Sequence, residues 1–222
     1  MRFENYIWDF DGTIADSYPH IYAALCKVMD EYGMTENFDM EMVKRYLQVS
    51  FAEMRKYTDM ADEPYAKFNA LHHRTADSEI DPPIVPFRDA ERVLAAIVEK
   101  GGQNFLYTHR NLTAYYYLFR FGLIKYFTDI VTSENNFPSK PAPDAILALM
   151  KKHSLRPDET IMIGDREIDG LSGQNAGIAG ALVNYPEHLP DGTSPAEASD
   201  MDCIASSLTS FAKMCGILPW EE

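Results

Sequence analysis

Two aspartates separated by one residue, Asp9 and Asp11, follow the apolar run Tyr6-Ile7-Trp8 and precede Gly12-Thr13. In a strand, positions i and i+2 point to the same side. The spacing therefore predicts two carboxylates gathered at the carboxyl end of a strand over 6–10. That is where open α/β sheets bind their ligands. Carboxylates paired there suit a hard divalent cation, or one nucleophile beside one proton carrier. Asp-Gly is also a common turn dipeptide, so the pair acquires its meaning from what lies at the other strand ends.

Three further segments answer that question. A strand predicted over 104–107 is followed by Thr108-His109-Arg110-Asn111. One over 129–132 leads through Ser133 to Lys140-Pro141, and one over 160–163 into Gly164-Asp165-Arg166-Glu167-Ile168-Asp169. In a parallel sheet these loops converge on one crevice.

Elements that could position such loops are readable in the patterning. Residues 87–100 carry an apolar stripe at Ala90, Val93, Leu94, Ile97 and Val98 and stop at Gly101-Gly102; helices are also predicted at 112–121 and 143–153. A last strand is expected at 179–183. Strands alternating with helices imply an α/β fold, a Rossmann-like doubly wound parallel sheet with right-handed crossovers. One stretch breaks the alternation. Ser17 as a helix cap, Pro19 in the first turn and the stripe Ile21, Leu25, Val28, Met29, Tyr32 predict a helix ending at Gly33. Further helices are predicted at 40–47, 51–57 and 64–76, closed by the stiff connector 81–86. The expected organisation is an α/β core of 1–15 and 84–222 with a small all-helical domain, 16–83, inserted after the first strand. Residues 185–200 read as a long loop.

Composition narrows the partners. The 222 residues carry 20 Lys+Arg against 34 Asp+Glu, a net charge of -14. That excludes polymeric nucleic acid and anionic membranes as main partners; an anionic small substrate would need a local cation. With 46% hydrophobic residues the chain can build a core, yet no apolar run reaches the ~18 residues of a membrane span. The start of the chain leaves no room for a signal peptide. Cys26, Cys203 and Cys215 are too far apart for a zinc site or disulfide framework and read as buried thiols. A cytoplasmic monomer or homodimer is expected.

The Asp-Phe-Asp-Gly-Thr start, the strand-end Thr108, the Lys140-Pro141 pair and Gly164-Asp165-(x3)-Asp169 resemble, in order, the four motifs of the haloacid dehalogenase-like hydrolases. The resemblance covers the whole chain, and its helical insert looks like that family's C1 cap. Asp16-Ser17, Thr108–Asn111 and 165–169 resemble the phosphoglycolate phosphatase-like branch. The resemblance implies a phosphatase acting on a small phosphorylated metabolite. Asp9 would attack phosphorus to form an aspartyl-phosphate, and Asp11 would protonate the leaving oxygen and then deprotonate water. Mg²⁺ would be held by Asp9, the backbone carbonyl of Asp11, and Asp165. Thr108 would hydrogen-bond a phosphoryl oxygen, and Lys140 would pair with both Asp9 and the phosphoryl group. Asp169 would orient Lys140 or metal-bound water, and Gly12 would let backbone approach the phosphate.

Other residues are weighed more evenly. His109 and Arg110 are candidates for lining the phosphate entrance, although Arg110 by itself reads as surface. His72-His73 reads as surface of the insert, and Tyr115-Tyr116-Tyr117 with Phe119 and Phe121 as core packing. Gln48 and Ser50, in a turn between inserted helices, are the candidate substrate contacts; Arg45 and Arg55 could reach the same ligand. The connectors 14–17 and 81–86 read as hinges. Two alternatives compete: a phosphosugar mutase of the β-phosphoglucomutase type, whose cap histidine would fall at Ile21 while His20 stands one residue away, and a non-catalytic binding module on the same fold.

Overall fold

The protein is described by a computed structural model over residues 1–74, 81–185 and 200–220. The chain opens with β1 (Asn5–Trp8) and a short β2 (Ala15–Asp16). Four helices follow: α1 (Tyr18–Glu31), α2 (Met40–Val49), α3 (Phe51–Thr58) and α4 (Asp62–His72). After β3 (Val85–Pro86), helices and strands alternate: α5 (Ala90–Glu99), β4 (Gln103–Tyr107), α6 (Thr113–Arg120), β5 (Phe127–Val131), α7 (Asp144–His153), β6 (Thr160–Gly164), α8 (Glu167–Asn175) and β7 (Ala179–Val183). The chain closes with β8 (Cys203–Ala205) and α9 (Leu208–Met214).

Six strands form one parallel sheet in the order β5-β4-β1-β6-β7-β8. β1 is central. The chain builds β4 and β5 on one side of it and then β6, β7 and β8 on the other, so the winding reverses between β1 and β6. Trp8 is level with Leu106 of β4 and Ile163 of β6, which brings three of the predicted loops out at one height. Ile7 packs with Phe105, Met162 and the α7 residues Ala145, Ile146 and Leu149. Tyr6 and Trp8 face the other way, each edge-on to Phe211 of α9. Cover on both faces is why these strands are apolar throughout rather than alternating.

Glycine sets the distance between α8 and the sheet. A Cβ on Gly180 of β7 would lie 2.5 Å from the Gly170 carbonyl oxygen, and one on Gly173 would lie 2.7 Å from Met162 Cβ. A Cβ on Gly164 would lie 2.2 Å from that of Asp169, so the glycine admits an acidic side chain directly beneath the strand end.

The backbone divides into two compact units, Met1–Asp16 with Pro86–Glu222, and Ser17–Val85. The second has a core of its own: Ile21, Leu25, Val28 and Met29 of α1 pack with Val43, Leu47, Met54 and Phe68. Four members of the predicted stripe of α1 are thus buried, whereas the fifth, Tyr32, is the exposed C-cap residue.

Several expectations are corrected. β1 stops at Trp8 rather than residue 10, and Asp11 lies in the following turn, bridged to Ala15; the alternation of strand side chains does not govern its direction. Ser17 occupies the N-cap position of α1 but has helical backbone angles and makes no side-chain cap. His72 is buried, with Nδ1 3.0 Å from the Phe68 carbonyl and its ring against Phe51 and Phe68. Tyr117 is buried, whereas Tyr115, Tyr116 and Phe119 are exposed. Cys26 is only partly buried; all three thiols are free. β8 has no counterpart in the sequence reading, because three residues are too short to show a period. Most of the predicted loop at 185–200, and the end of the helix predicted at 64–76, lie outside the described residues. Among the described residues, no helix is long and apolar enough to cross a membrane.

Candidate active site

The predicted loops meet at the carboxyl ends of β1, β4 and β6. Asp9 follows β1 directly, and its N–H donates 2.8 Å to the Ile163 carbonyl of β6, continuing the ladder one residue past the strand. Its carboxylate is almost fully buried. Lys140 supplies the neutralising charge, with Nζ donating to Asp9 Oδ1 at 2.6 Å and to Asp169 Oδ1 at 2.7 Å. All three side chains are buried. The ammonium also lies 4.6 Å from the centre of the Tyr107 ring, a favourable seat for a cation.

Two carboxylates share one ammonium, and their proton affinities diverge. Burial pushes the Asp9 carboxyl up to about 6, against the opposing pull of Lys140. Burial acts the same way on Asp169, but Lys140 and Arg166 outweigh it and hold that carboxyl below its ordinary value. Burial would discharge Lys140; Asp169 and Asp9 reverse this and hold its ammonium above the usual range. Asp169 Oδ2 also accepts the Arg166 backbone N–H at 3.1 Å, so both Asp169 oxygens are engaged. It serves at once as a first-turn anchor of α8 and as the partner of Lys140.

Asp11 is gripped from another side. Arg110 Nε stands 3.1 Å from each Asp11 oxygen and Nη2 2.7 Å from Oδ1. Arg110 is buried, correcting its reading as a surface residue. The sequence could have pointed to it through charge: the converging loops hold Asp9, Asp11, Asp165 and Asp169, which Lys140 and Arg166 together cannot balance.

The loop after β4 is tied down internally. Thr108 Oγ1 accepts the Arg110 N–H at 3.0 Å, and His109 Nε2 accepts the Lys140 N–H at 3.0 Å. Burial, then Lys140, pushes the His109 pKa down to about 4, so the imidazole is neutral with its proton on Nδ1. Gly12 sits at φ 78, a conformation that favours glycine, and its N–H donates to the Ala15 carbonyl at 2.8 Å. The glycine therefore shapes the turn, with its own amide already engaged.

The residues present fit a divalent cation. Asp9, Asp165 and Asp169 each offer an oxygen within 4.8 Å of the others. Asp9 Oδ2 is buried with no hydrogen-bond partner among the described residues, a costly state that a cation would relieve. Since Asp169 is committed to Lys140 and the α8 backbone, Asp9 and Asp165 are the better donors. Few protein oxygens, with the remaining positions left to water and substrate, is the pattern of a magnesium-type ion.

The family model for haloacid dehalogenase-like hydrolases matches residues 6–183. The chain belongs to that family. It is 27% identical over 191 residues, 83% of this chain and 85% of the relative, to a protein named pyrophosphatase PpaX from Halalkalibacterium halodurans. It is 36% identical over 87 residues, 39% of this chain and 37% of the relative, to a phosphoglycolate phosphatase from Vibrio vulnificus. Among solved structures, a hydrolase from Streptococcus pneumoniae TIGR4 is 31% identical, with a TM-score of 0.56 over 80% of this chain and 91% of that one. A haloacid dehalogenase-like hydrolase from Bacteroides fragilis shares the fold at TM-score 0.78 and 23% identity, over 94% of this chain and 99% of that one. The sequence resemblance to this family and the expected doubly wound α/β core are both borne out, and the chain is an enzyme of the phosphatase kind.

Within the Ser17–Val85 unit, Gln48 is the penultimate residue of α2, partly buried. Ser50 caps α3, its Oγ accepting the Glu53 N–H at 3.1 Å, so its hydroxyl already has a structural task. Arg55 donates to the Met60 carbonyl at 3.0 Å, pairs with Asp62 and lies over Tyr65. Ile21 belongs to the apolar core of the unit, and His20 Nδ1 lies 3.0 Å from the Pro82 carbonyl.

Proposed function

We propose that this chain is a magnesium-dependent phosphatase that removes phosphate from a small phosphorylated metabolite through an aspartyl-phosphate on Asp9. The observation that carries the reading is the state of Asp9: one oxygen fixed by Lys140, the other buried without a hydrogen-bond partner among the described residues, beside Asp165. A carboxylate so placed is oriented and electrically balanced yet has an oxygen left for chemistry.

An Asp9 oxygen forms a bond to phosphorus as the bond from phosphorus to the leaving oxygen breaks, and Asp11 gives its proton to that oxygen. Asp11, now a carboxylate, takes a proton from water as the water oxygen attacks phosphorus and the bond to Asp9 breaks, freeing inorganic phosphate. Lys140 lessens the repulsion between Asp9 and the incoming phosphoryl group. Thr108 Oγ1 accepts from a backbone amide, which leaves its O–H to donate to a phosphoryl oxygen. Magnesium, held by Asp9, the Asp11 carbonyl and Asp165, supplies positive charge for the phosphoryl oxygens in a strongly acidic protein.

The Ser17–Val85 unit is read as a C1-type cap, with the connectors 14–17 and 81–86 as its hinges and Gln48 and Ser50 as contacts for the substrate. The turn 48–51 holds no lysine or arginine, which gives little reason for a second strongly anionic group on that substrate. The relatives named above act, by their names, on pyrophosphate and phosphoglycolate, so a panel of phosphorylated metabolites has to include both.

The test is release of phosphate from p-nitrophenyl phosphate and from that panel, with magnesium and with chelator. Turnover that needs the metal and is abolished by Asp9→Asn supports the reading. Absence of turnover on every compound would point instead to a binding module.

A further inference from the structure

We propose that Arg110 is the positioning residue for the acid/base step, fixing the direction of the Asp11 carboxylate rather than binding the substrate. This rests on the phosphatase reading above, because it takes Asp11 as the proton carrier.

The ion pair differs from the cluster around Lys140. Lys140, Asp9 and Asp169 have side-chain exposures of 0%, 1% and 0%, a closed cluster. Arg110 is equally hidden at 0%, but its partner Asp11 remains 21% exposed. A fully buried guanidinium is expensive to desolvate. Here it lies behind a carboxylate that still has an open side, which is the arrangement a group needs if it must be held and must also reach something. The hold is directional. Nε contacts both Asp11 oxygens and Nη2 contacts Oδ1, and a planar fork on two oxygens restrains rotation of the carboxylate plane as a single ammonium contact cannot.

Arg110 is itself held. Its guanidinium carbon lies 5.6 Å from the ring centres of both Phe10 and Tyr117. Its N–H donates to Thr108 Oγ1 and its carbonyl accepts from the Ser133 N–H at 3.1 Å. Phe10 lies between the two catalytic aspartates in sequence, so the turn that carries Asp11 also supplies one wall around the arginine. The direction of Asp11 is thereby linked to the position of Thr108, two residues from the arginine on the neighbouring strand end.

A proton carrier matters most when the leaving oxygen is basic. The experiment compares kcat and KM for p-nitrophenyl phosphate, whose leaving group departs unaided, with those for phenyl phosphate, whose leaving group needs the proton. The magnesium-loaded full chain is set beside Arg110→Met and Arg110→Lys. For Arg110→Met the expected result is a kcat/KM, which reads only the steps up to loss of the leaving group, lower by about 100-fold on phenyl phosphate against about 3-fold on p-nitrophenyl phosphate. Arg110→Lys, able to hold one oxygen, should recover about 10-fold of the selective loss. Equal losses of kcat/KM on the two substrates would overturn the inference. If thermal melting shows Arg110→Met unfolded, Arg110→Lys decides alone: a selective loss of about 3-fold supports the inference and an even loss overturns it. A native chain that turns over neither substrate overturns the phosphatase reading, and this inference with it, and is distinct from either result.

Discussion

Asp9 is the residue whose surroundings are most at odds with its charge. Its carboxyl is pushed up to about 6 from an ordinary 3.8, so the fold binds that proton more tightly than the unfolded chain does. The contribution of this group to stability is therefore complete below about pH 4 and is lost as pH rises through about 6. A cation bound at Asp9 takes only the ionised form and should offset that loss. Magnesium is expected to raise the melting temperature more at about pH 7.5 than at about pH 5. Equal shifts at both pH values would show that the ion does not bind at this carboxylate. The groups gathered here, Asp9, Lys140, Asp165 and Asp169, were legible because each stands directly after a recognisable strand or in a short motif. Arg110 was not, because its role depends on a partner 99 residues away and nothing in its immediate neighbours tells a buried arginine from a solvated one.

At the level of elements, close approach is arranged by omitting side chains. Gly180→Ala would bring a Cβ to 2.5 Å of the Gly170 carbonyl oxygen, a backbone atom that cannot swing aside. That substitution should cost roughly 1–3 kcal/mol in urea unfolding while kcat on p-nitrophenyl phosphate holds. Gly164→Ala meets Asp169 Cβ at 2.2 Å instead and should lower kcat as well as stability, since Asp169 must then move away from Lys140. If both variants lost stability alone, the link between Gly164 and the site would be refuted. Element order and type followed from the apolar stripes of α1, α5 and α7 and the runs of β4 and β6. Helix α8 has no counterpart in the sequence reading, since glycines at 170 and 173 argue against a helix on propensity; their purpose is visible only with β6 and β7 alongside. The turn after Trp8 was misread for a related reason: the apolar run continues to Phe10, although the backbone has already left the sheet.

For the whole molecule, charge sets the terms of encounter. A net charge of -14 repels an anionic substrate from a distance, and salt screens that repulsion. Raising ionic strength from about 0.02 to 0.2 M at fixed magnesium should increase kcat/KM on a dianionic monoester about two- to fivefold. A decrease would mean that a local positive field, not the overall charge, governs approach. The two-part organisation was legible as an interruption of the alternation; what the inserted part recognises was not, since Ser50 and Arg55 are both occupied by its own helices. The central place of β1 has one further consequence, for synthesis. Both of its neighbours, β4 and β6, are encoded after the insert, so the strand that leads into Asp9 leaves the ribosome before either and stays without a native edge until residues 103–107 emerge, and without its second until 160–164. The inserted helices, whose apolar cluster among the described residues spans 21–71, have those partners long before then. The strand at the centre of the sheet is thus completed only after the inserted unit that follows it.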